Sequence, residues 1–188
     1  MTSLIDALDG AYQHCEKVLA GIDNAQLALP TPCSQWDIRA TIDHLIGATW
    51  MFTLVNQGQA VGEDAGAIAD RDPIVALTDA AEANAASWRI PGAFDGERTY
   101  PFGTFPADAA AMMNLSEVVV HTWDVAIALG DDATIDPAVA RMLDNFYRAI
   151  CLDPYRAHGA FGAEVPIDSS APPADRLLAK LGRQPVRP

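Results

Sequence analysis

Cysteine is scarce in this 188-residue chain, and the few present form no pattern. Cys15, Cys33 and Cys151 are odd in number, widely spaced and without a C-x-x-C. That arithmetic excludes a disulfide framework and a cysteine zinc knuckle, and leaves three reduced, mostly buried thiols. Positive charge is also short: 12 basic against 25 acidic residues give a formal net charge of -13. No Lys/Arg-rich stretch offsets this locally, so phosphate backbones and anionic membrane surfaces are repelled. Neither nucleic acid nor a membrane is expected as a partner. No apolar run approaches the roughly 18 residues of a membrane helix. The start, "MTSLIDALDGAYQHCEKVLAG", is amphipathic and acidic and lacks the basic, then apolar, build of a signal peptide. A cytoplasmic location is expected. Internal repeats, low-complexity segments and long linkers are missing too.

What is present is an ordinary globular composition, 50% hydrophobic and 20% charged, in a chain long enough for a sizeable core. One domain spanning residues 1–188 is expected. Apolar positions at Leu4, Ile5, Leu8, Tyr12, Val18 and Leu19 have helical spacing. After a loop with Pro30 and Pro32, Ser34 reads as the cap of a second helix with Asp37 as its capping-box partner, and Gly58 and Gly62 as its end. Residues 59–72 read as a surface loop. Pro73 suits the start of a third helix. "RTYPFGTF" reads as a small hairpin or an extended crossover. Pro106 opens a fourth helix that runs to about Leu129, with Gly130 as its stop. Asp136-Pro137 opens a fifth. The tail is extended except for a short helix over "ADRLLAKLG". The fold class is therefore all-α: a four-helix bundle with a long crossover between helices three and four, an extra helix and an extended C-terminal tail.

The fourth helix carries the unusual signal, "SEVVVHTWDVAIALG". At about 100 degrees per residue, Asn114, Glu117, His121 and Asp124 fall in an arc roughly 80 degrees wide. Valine, leucine, isoleucine, methionine and Trp123 fill the rest. A helix apolar nearly all round is buried. A polar stripe on it must then face a partner, a wet cavity or a metal. Glu117 and His121, four apart, meet over one turn and can share a divalent cation, given a third ligand from a facing helix. His44 in "TIDHLIGATW" is the candidate, with small neighbours Ala40, Gly47 and Ala48 beside it. Asp43 lies about 100 degrees away and is a poor co-ligand. The spacing alone leaves a metal-free polar network equally open.

Two segments, "TPCSQWDIRATIDHLIG" and "SEVVVHTWDVAIALG", resemble the signature helices of the DinB-like superfamily. The likeness is closer to its actinobacterial branch, related to mycothiol-dependent maleylpyruvate isomerase. The tail "FGAEVPIDSSAPPADRLLAKLGRQP" resembles that branch as well, so the resemblance spans nearly the whole chain. It implies a single DinB-like metal-binding domain with a divalent metal, zinc or nickel, between helices two and four, and with His44, Glu117 and His121 as its ligands. Members resemble thiol-S-transferases that use mycothiol, bacillithiol or glutathione. The chain departs from the isomerase, a bundle followed by a smaller domain, because little chain remains after the fifth helix. Thiol-binding residues of that second domain are therefore not carried over.

Two imidazoles and a carboxylate suit zinc or nickel and leave an open position, as catalytic sites do. A thiol bound there would be deprotonated and could attack a small electrophile, a detoxification type of chemistry. Asp124, one turn beyond His121, would hold that ring from behind. Asn114 would polarise a substrate or satisfy the Glu117 carboxylate. The expected function is metal-dependent transfer of a low-molecular-weight thiol, mycothiol by resemblance. A metal-dependent hydrolase and a non-catalytic ligand-binding bundle are the alternatives. A small-molecule substrate and the thiol are the expected partners, and the resemblance also allows a homodimer. His14 and His158 read as solvated, Trp36, Trp50 and Trp123 as core, Cys33 as structural, and Arg176 as part of a tail salt bridge.

Overall fold

The computed structural model describes residues 3–61 and 72–185. The chain divides into two compact units, Met1–Ala133 and Thr134–Pro188. The first unit holds helices α1 (Leu4–Leu19), α2 (Ile38–Asn56), α3 (Pro73–Ser87) and α4 (Ala107–Leu129). A short 3-10 turn, Gln26–Ala28, and a hairpin of β1 (Glu97–Tyr100) and β2 (Gly103–Pro106) complete it. The second unit holds α5 (Pro137–Arg148), α6 (Asp153–Ala157) and α7 (Pro173–Lys180). The all-α expectation holds, with a long connection between α3 and α4. That connection contains the hairpin rather than an extended crossover. Its register pairs Glu97 with Pro106 and Tyr100 with Gly103.

The helix ends follow local chemistry. Ser3 and Asp6 form a reciprocal capping box at the start of α1. Asp72 and Asp136 each cap a helix whose first residue is proline, α3 and α5. Gly130 ends α4 in the left-handed region at φ 73, where a glycine carries no Cβ penalty. One start differs from expectation. Ser34 does not cap α2; Asp37, cast as its partner, is itself the cap, and its Oδ1 accepts from Ala40 N at 2.8 Å. Residues 31–36 are committed elsewhere. The Thr31 hydroxyl donates to Trp36 O at 2.9 Å, and Trp36 N donates to Cys33 O at 2.8 Å. This turn leaves Ser34 exposed and brings the chain into α2 three residues later. At the other end α2 stops at Asn56, followed by Gly58 at φ 70. Gly62 and the rest of the expected loop to residue 71 lie outside the described residues.

In the first unit α2 packs against α3 and α4, and α1 packs against α4 and α3. Leu8, Ile42, Ile46, Phe52, Leu77 and Leu115 are all 2% exposed or less. Such side chains each contribute roughly 1.5–3 kcal/mol by leaving water. Within this core runs a polar chain. Trp88 Nε1 donates to Asn114 Oδ1 at 2.8 Å, Asn114 Nδ2 donates to the Tyr12 hydroxyl at 3.3 Å, and that hydroxyl donates to Thr49 Oγ1 at 3.3 Å. It links α1, α2, α4 and the C-terminal cap of α3. The Tyr12 phenol is pushed well above its ordinary range by burial. It therefore stays neutral, able to donate and accept at once.

In the second unit α5 packs against α7. Asp144 on α5, 6% exposed, is paired with Arg148 and with Arg176 of α7. Arg176, read from the sequence as part of a salt bridge within the tail, pairs instead with Asp144 of α5. Gly182 sits against Gly162 so closely that a Cβ would lie 2.7 Å from Gly162 Cα, and its φ of +83 also favours glycine. The short helix α6 was not anticipated from the sequence. Its five residues are too few to show a periodicity.

Asn114 has its carbonyl and its amide committed to Trp88 and Tyr12. Asn114→Ala should leave the indole N–H buried without an acceptor and cost on the order of 2 kcal/mol, read from the midpoint of urea denaturation.

Candidate metal centre

Helix α4 is 23 residues long, and 15 of them are buried, among them Asn114, His121 and Asp124. It packs against α1 and α2. His44 lies on α2, eight residues after Trp36. The structure brings His44, Glu117 and His121 together. One ligand atom from each lies within 4.8 Å of the others. Glu117 Oε2 is 3.0 Å from His44 Nε2 and 3.3 Å from His121 Nε2. A single carboxylate oxygen thus stands between two imidazole nitrogens, one from each helix.

The electrostatics follow from that arrangement. Burial opposes the charged form of Glu117, yet the hydrogen bonds from His121 and His44, with their charges, outweigh it. The carboxyl is held well below the usual carboxylate range. Burial likewise opposes a charged His121. Its hydrogen bonds to Asp124 and Glu117, and the charges of both carboxylates, win and raise it from 6.5 to about 9. Asp124 is fully buried, and its Oδ2 lies 3.0 Å from His121 Nδ1. A carboxylate only accepts, so Nδ1–H donates to it and Nε2 is turned to Glu117 and His44. Asp124 thus lies on the side of the ring opposite the nitrogen that faces Glu117.

The donor set fits a divalent cation. Two imidazole nitrogens and one carboxylate oxygen match the preferences of zinc and other borderline ions, and three protein ligands leave a further position. Access exists from one side. The His44 side chain is 37% exposed and that of Glu117 31%, against 9% for His121.

Other candidates lie elsewhere. Asn114, on the same helical arc as Glu117, is turned into the Trp88–Tyr12 network rather than to the carboxylate. Trp88 reached it from the end of α3, which no helical wheel of α4 could reveal. Asp43 pairs with Arg39 at 3.3 Å on the outer side of α2. His14 is half-buried and His158 exposed. Among the described residues, Cys15, Cys33 and Cys151 form no disulfide. Cys15 alone is buried, with its thiol pushed up to about 12 by that burial, and so is inert. Cys33 is half-buried and Cys151 exposed, against the expectation of mostly buried thiols. Trp123 is buried as expected, and Trp50 is half-buried. Trp36 is the residue misplaced by sequence reasoning. It is half-buried and lies against both imidazoles, with ring centroids 4.4 Å from His44 and 5.5 Å from His121. The two imidazoles meet edge to face at 4.9 Å. Trp36 precedes the first residue of α2, so helical geometry could not place it.

Three comparisons bear on this arrangement. Residues 8–126 match the family model of the mycothiol maleylpyruvate isomerase N-terminal domain, a span that includes α2, α4 and the whole cluster. Uncharacterised proteins of two Mycobacterium tuberculosis strains, CDC 1551 / Oshkosh and ATCC 25618 / H37Rv, are each 32% identical over 168 residues. Each match covers 88% of this chain and 90% of the relative. Crystal structures of the mycothiol-dependent maleylpyruvate isomerase and of a histidine-to-alanine variant share the fold, with TM-scores of 0.61 and 0.63. Their identities are 19% and 18%, and each covers 85% of this chain and 72% of the isomerase. With the family model covering well over half its length, and with the all-α fold shared, the chain belongs to the family of the mycothiol maleylpyruvate isomerase N-terminal domain.

Proposed function

We propose that this protein is a metal-dependent enzyme that transfers a low-molecular-weight thiol, mycothiol, to a small electrophile. The observation that carries the proposal is the convergence of His44, Glu117 and His121 from two helices, with the third side fixed by Asp124. The thiol is inferred from the family and from the isomerase whose fold the chain shares. Zinc or nickel is the ion its donors suit.

Each residue has a role in such a centre. His44 and His121 offer Nε2 lone pairs. Glu117 adds an oxygen donor and offsets one positive charge. Asp124 keeps His121 in the tautomer that points Nε2 inward and makes it a stronger donor. When bound, the cation would favour the thiolate over the thiol and so supply a nucleophile at neutral pH. The partial exposure of His44 and Glu117 leaves a side open to the thiol and electrophile. His121 itself is only 9% exposed, with the indole of Trp36 against it.

Plasma mass spectrometry on protein purified without a histidine tag should find near-stoichiometric metal. His44→Ala and His121→Ala should lose it while keeping the helical circular dichroism. Absence of metal after zinc or nickel is added would sink the proposal. Turnover of esters or amides without any thiol would replace the transferase by a hydrolase. Asp124→Asn should still bind metal, but about tenfold more weakly, because the carboxylate behind His121 is neutralised.

Proton linkage gives a separate test. In the metal-free protein the raised His121 contributes stability that is complete below pH 6.5 and lost as pH rises through about 9. The lowered Glu117 contributes stability that is present above pH 4.5 and lost as pH falls toward its folded value. Metal requires His121 without its Nε2 proton, so affinity should rise over the pH range in which metal-free stability declines. Thermal melts from pH 6.5 to 9 should fall without zinc, and the stabilisation by added zinc should grow over the same range. A zinc effect independent of pH would contradict ligation by His121.

A further inference from the structure

The two imidazoles of the centre are held in different ways. His121 has its far nitrogen, Nδ1, tied to Asp124 Oδ2 at 3.0 Å. That bond fixes the rotation of the ring. His44 has no such tether among the described residues; its hydrogen-bond partner is Glu117, through Nε2. It is also the more exposed ring, 37% against 9%. An imidazole attached by one nitrogen alone can swing about its Cβ–Cγ bond, and a donor atom displaced by an ångström no longer meets the others.

What lies against His44 is the indole of Trp36, at 4.4 Å between centroids and tilted by 39°. The same indole touches His121 at 5.5 Å, tilted by 43°. It therefore wedges against both rings. Its own backbone is clamped. Trp36 N donates to Cys33 O at 2.8 Å, and Trp36 O accepts from Thr31 N at 3.2 Å and from the Thr31 hydroxyl at 2.9 Å. Asp37, the next residue, pairs with Pro30 and caps α2. The indole thus rests on a short, hydrogen-bonded turn rather than a loose loop.

We propose that Trp36 is a positioning residue that orients His44 by ring contact, as Asp124 orients His121 by a hydrogen bond. The consequence for metal affinity rests on the metal-site reading above; the consequence for ring order does not. A flat aromatic side chain should be required, since the contact is a tilted ring-on-ring one with centroids 4.4 Å apart. Apolar volume alone should not suffice.

Trp36→Leu keeps apolar bulk and removes the flat face, while Trp36→Phe keeps a ring. Two quantities are read in the wild type and both variants, with thermal melts of the metal-free proteins as the folding control. The first is the side-chain order of His44 and His121, from NMR relaxation of their ring C–H groups without metal. The leucine variant should loosen His44 and leave His121 unchanged, and the phenylalanine variant should restore His44. The second is cobalt(II) affinity together with the visible absorption of bound cobalt. The leucine variant should bind about tenfold more weakly, as for loss of other groups that orient a ligand, with an altered spectrum, and the phenylalanine variant should recover most of both. A wild type that takes no cobalt would defeat the metal-site reading, and the ring-order comparison alone would then decide Trp36. Unchanged His44 order in the leucine variant would overturn the proposal. So would equal losses in the leucine and phenylalanine variants.

Discussion

The Glu117 carboxylate between two imidazoles is the contact on which the first unit depends. A carboxylate in a helix this buried would be expensive by itself, and so would a charged His121. Together they offset each other: Glu117 stays ionised because the rings donate to it, and His121 holds its proton because two carboxylates face it. Removing one member leaves a buried charge without compensation, the situation in which buried pairs become costly. The three groups are therefore coupled in the metal-free protein. The third of them, His44, comes from α2, so the set also joins α2 to α4. The 3.0 Å hydrogen bond between His44 and Glu117 adds a polar contact to the packing of the two helices.

Helix α4 carries two polar clusters with opposite designs. Asn114 is closed. Both ends of its amide are paired with side chains from other elements, and it is fully buried. Glu117 and His121, beginning less than one turn later, are open to one side, and the atoms that pair with each other are the same atoms that could hold a cation. The first cluster specifies the packing of α1, α2 and α4 with the end of α3. The second uses that packing. A centre assembled from two helices is only as exact as the register between them, and the Trp88–Asn114–Tyr12–Thr49 chain sets that register a turn away.

Much of this was legible in the sequence for a simple reason. A helix apolar on nearly all sides makes any ionisable group on it conspicuous, and the spacing of Glu117, His121 and Asp124 is a property of one element. The stop at Gly130 and the prolines at the starts of α3 and α5 are likewise local. What was not legible depends on contacts between elements. Asn114 lies on the same arc as Glu117, and only the arrival of Trp88 from the end of α3 turns it to another task. Trp36 sits outside any helix, so no wheel assigns it a face. The start of α2 was displaced by three residues because Thr31 and Cys33 satisfy the chain before the helix, and no capping rule weighs that competition.

The asymmetry between the two halves of the centre has a further physical meaning. Glu117, His121 and Asp124 lie within eight residues of one helix, so forming α4 is enough to bring their side chains into register. Little additional entropy is lost when they close on a ligand. His44 must be delivered across the helix pair, from a residue 73 positions away in the chain. It is also the ring with the weaker restraint and the greater exposure. The freedom left in the cluster therefore lies on the α2 side, while the α4 side is tied within one helix. If the cluster holds a cation as proposed, it would join two donors fixed on one helix to a third that is less restrained, with the indole of Trp36 lying against that third ring.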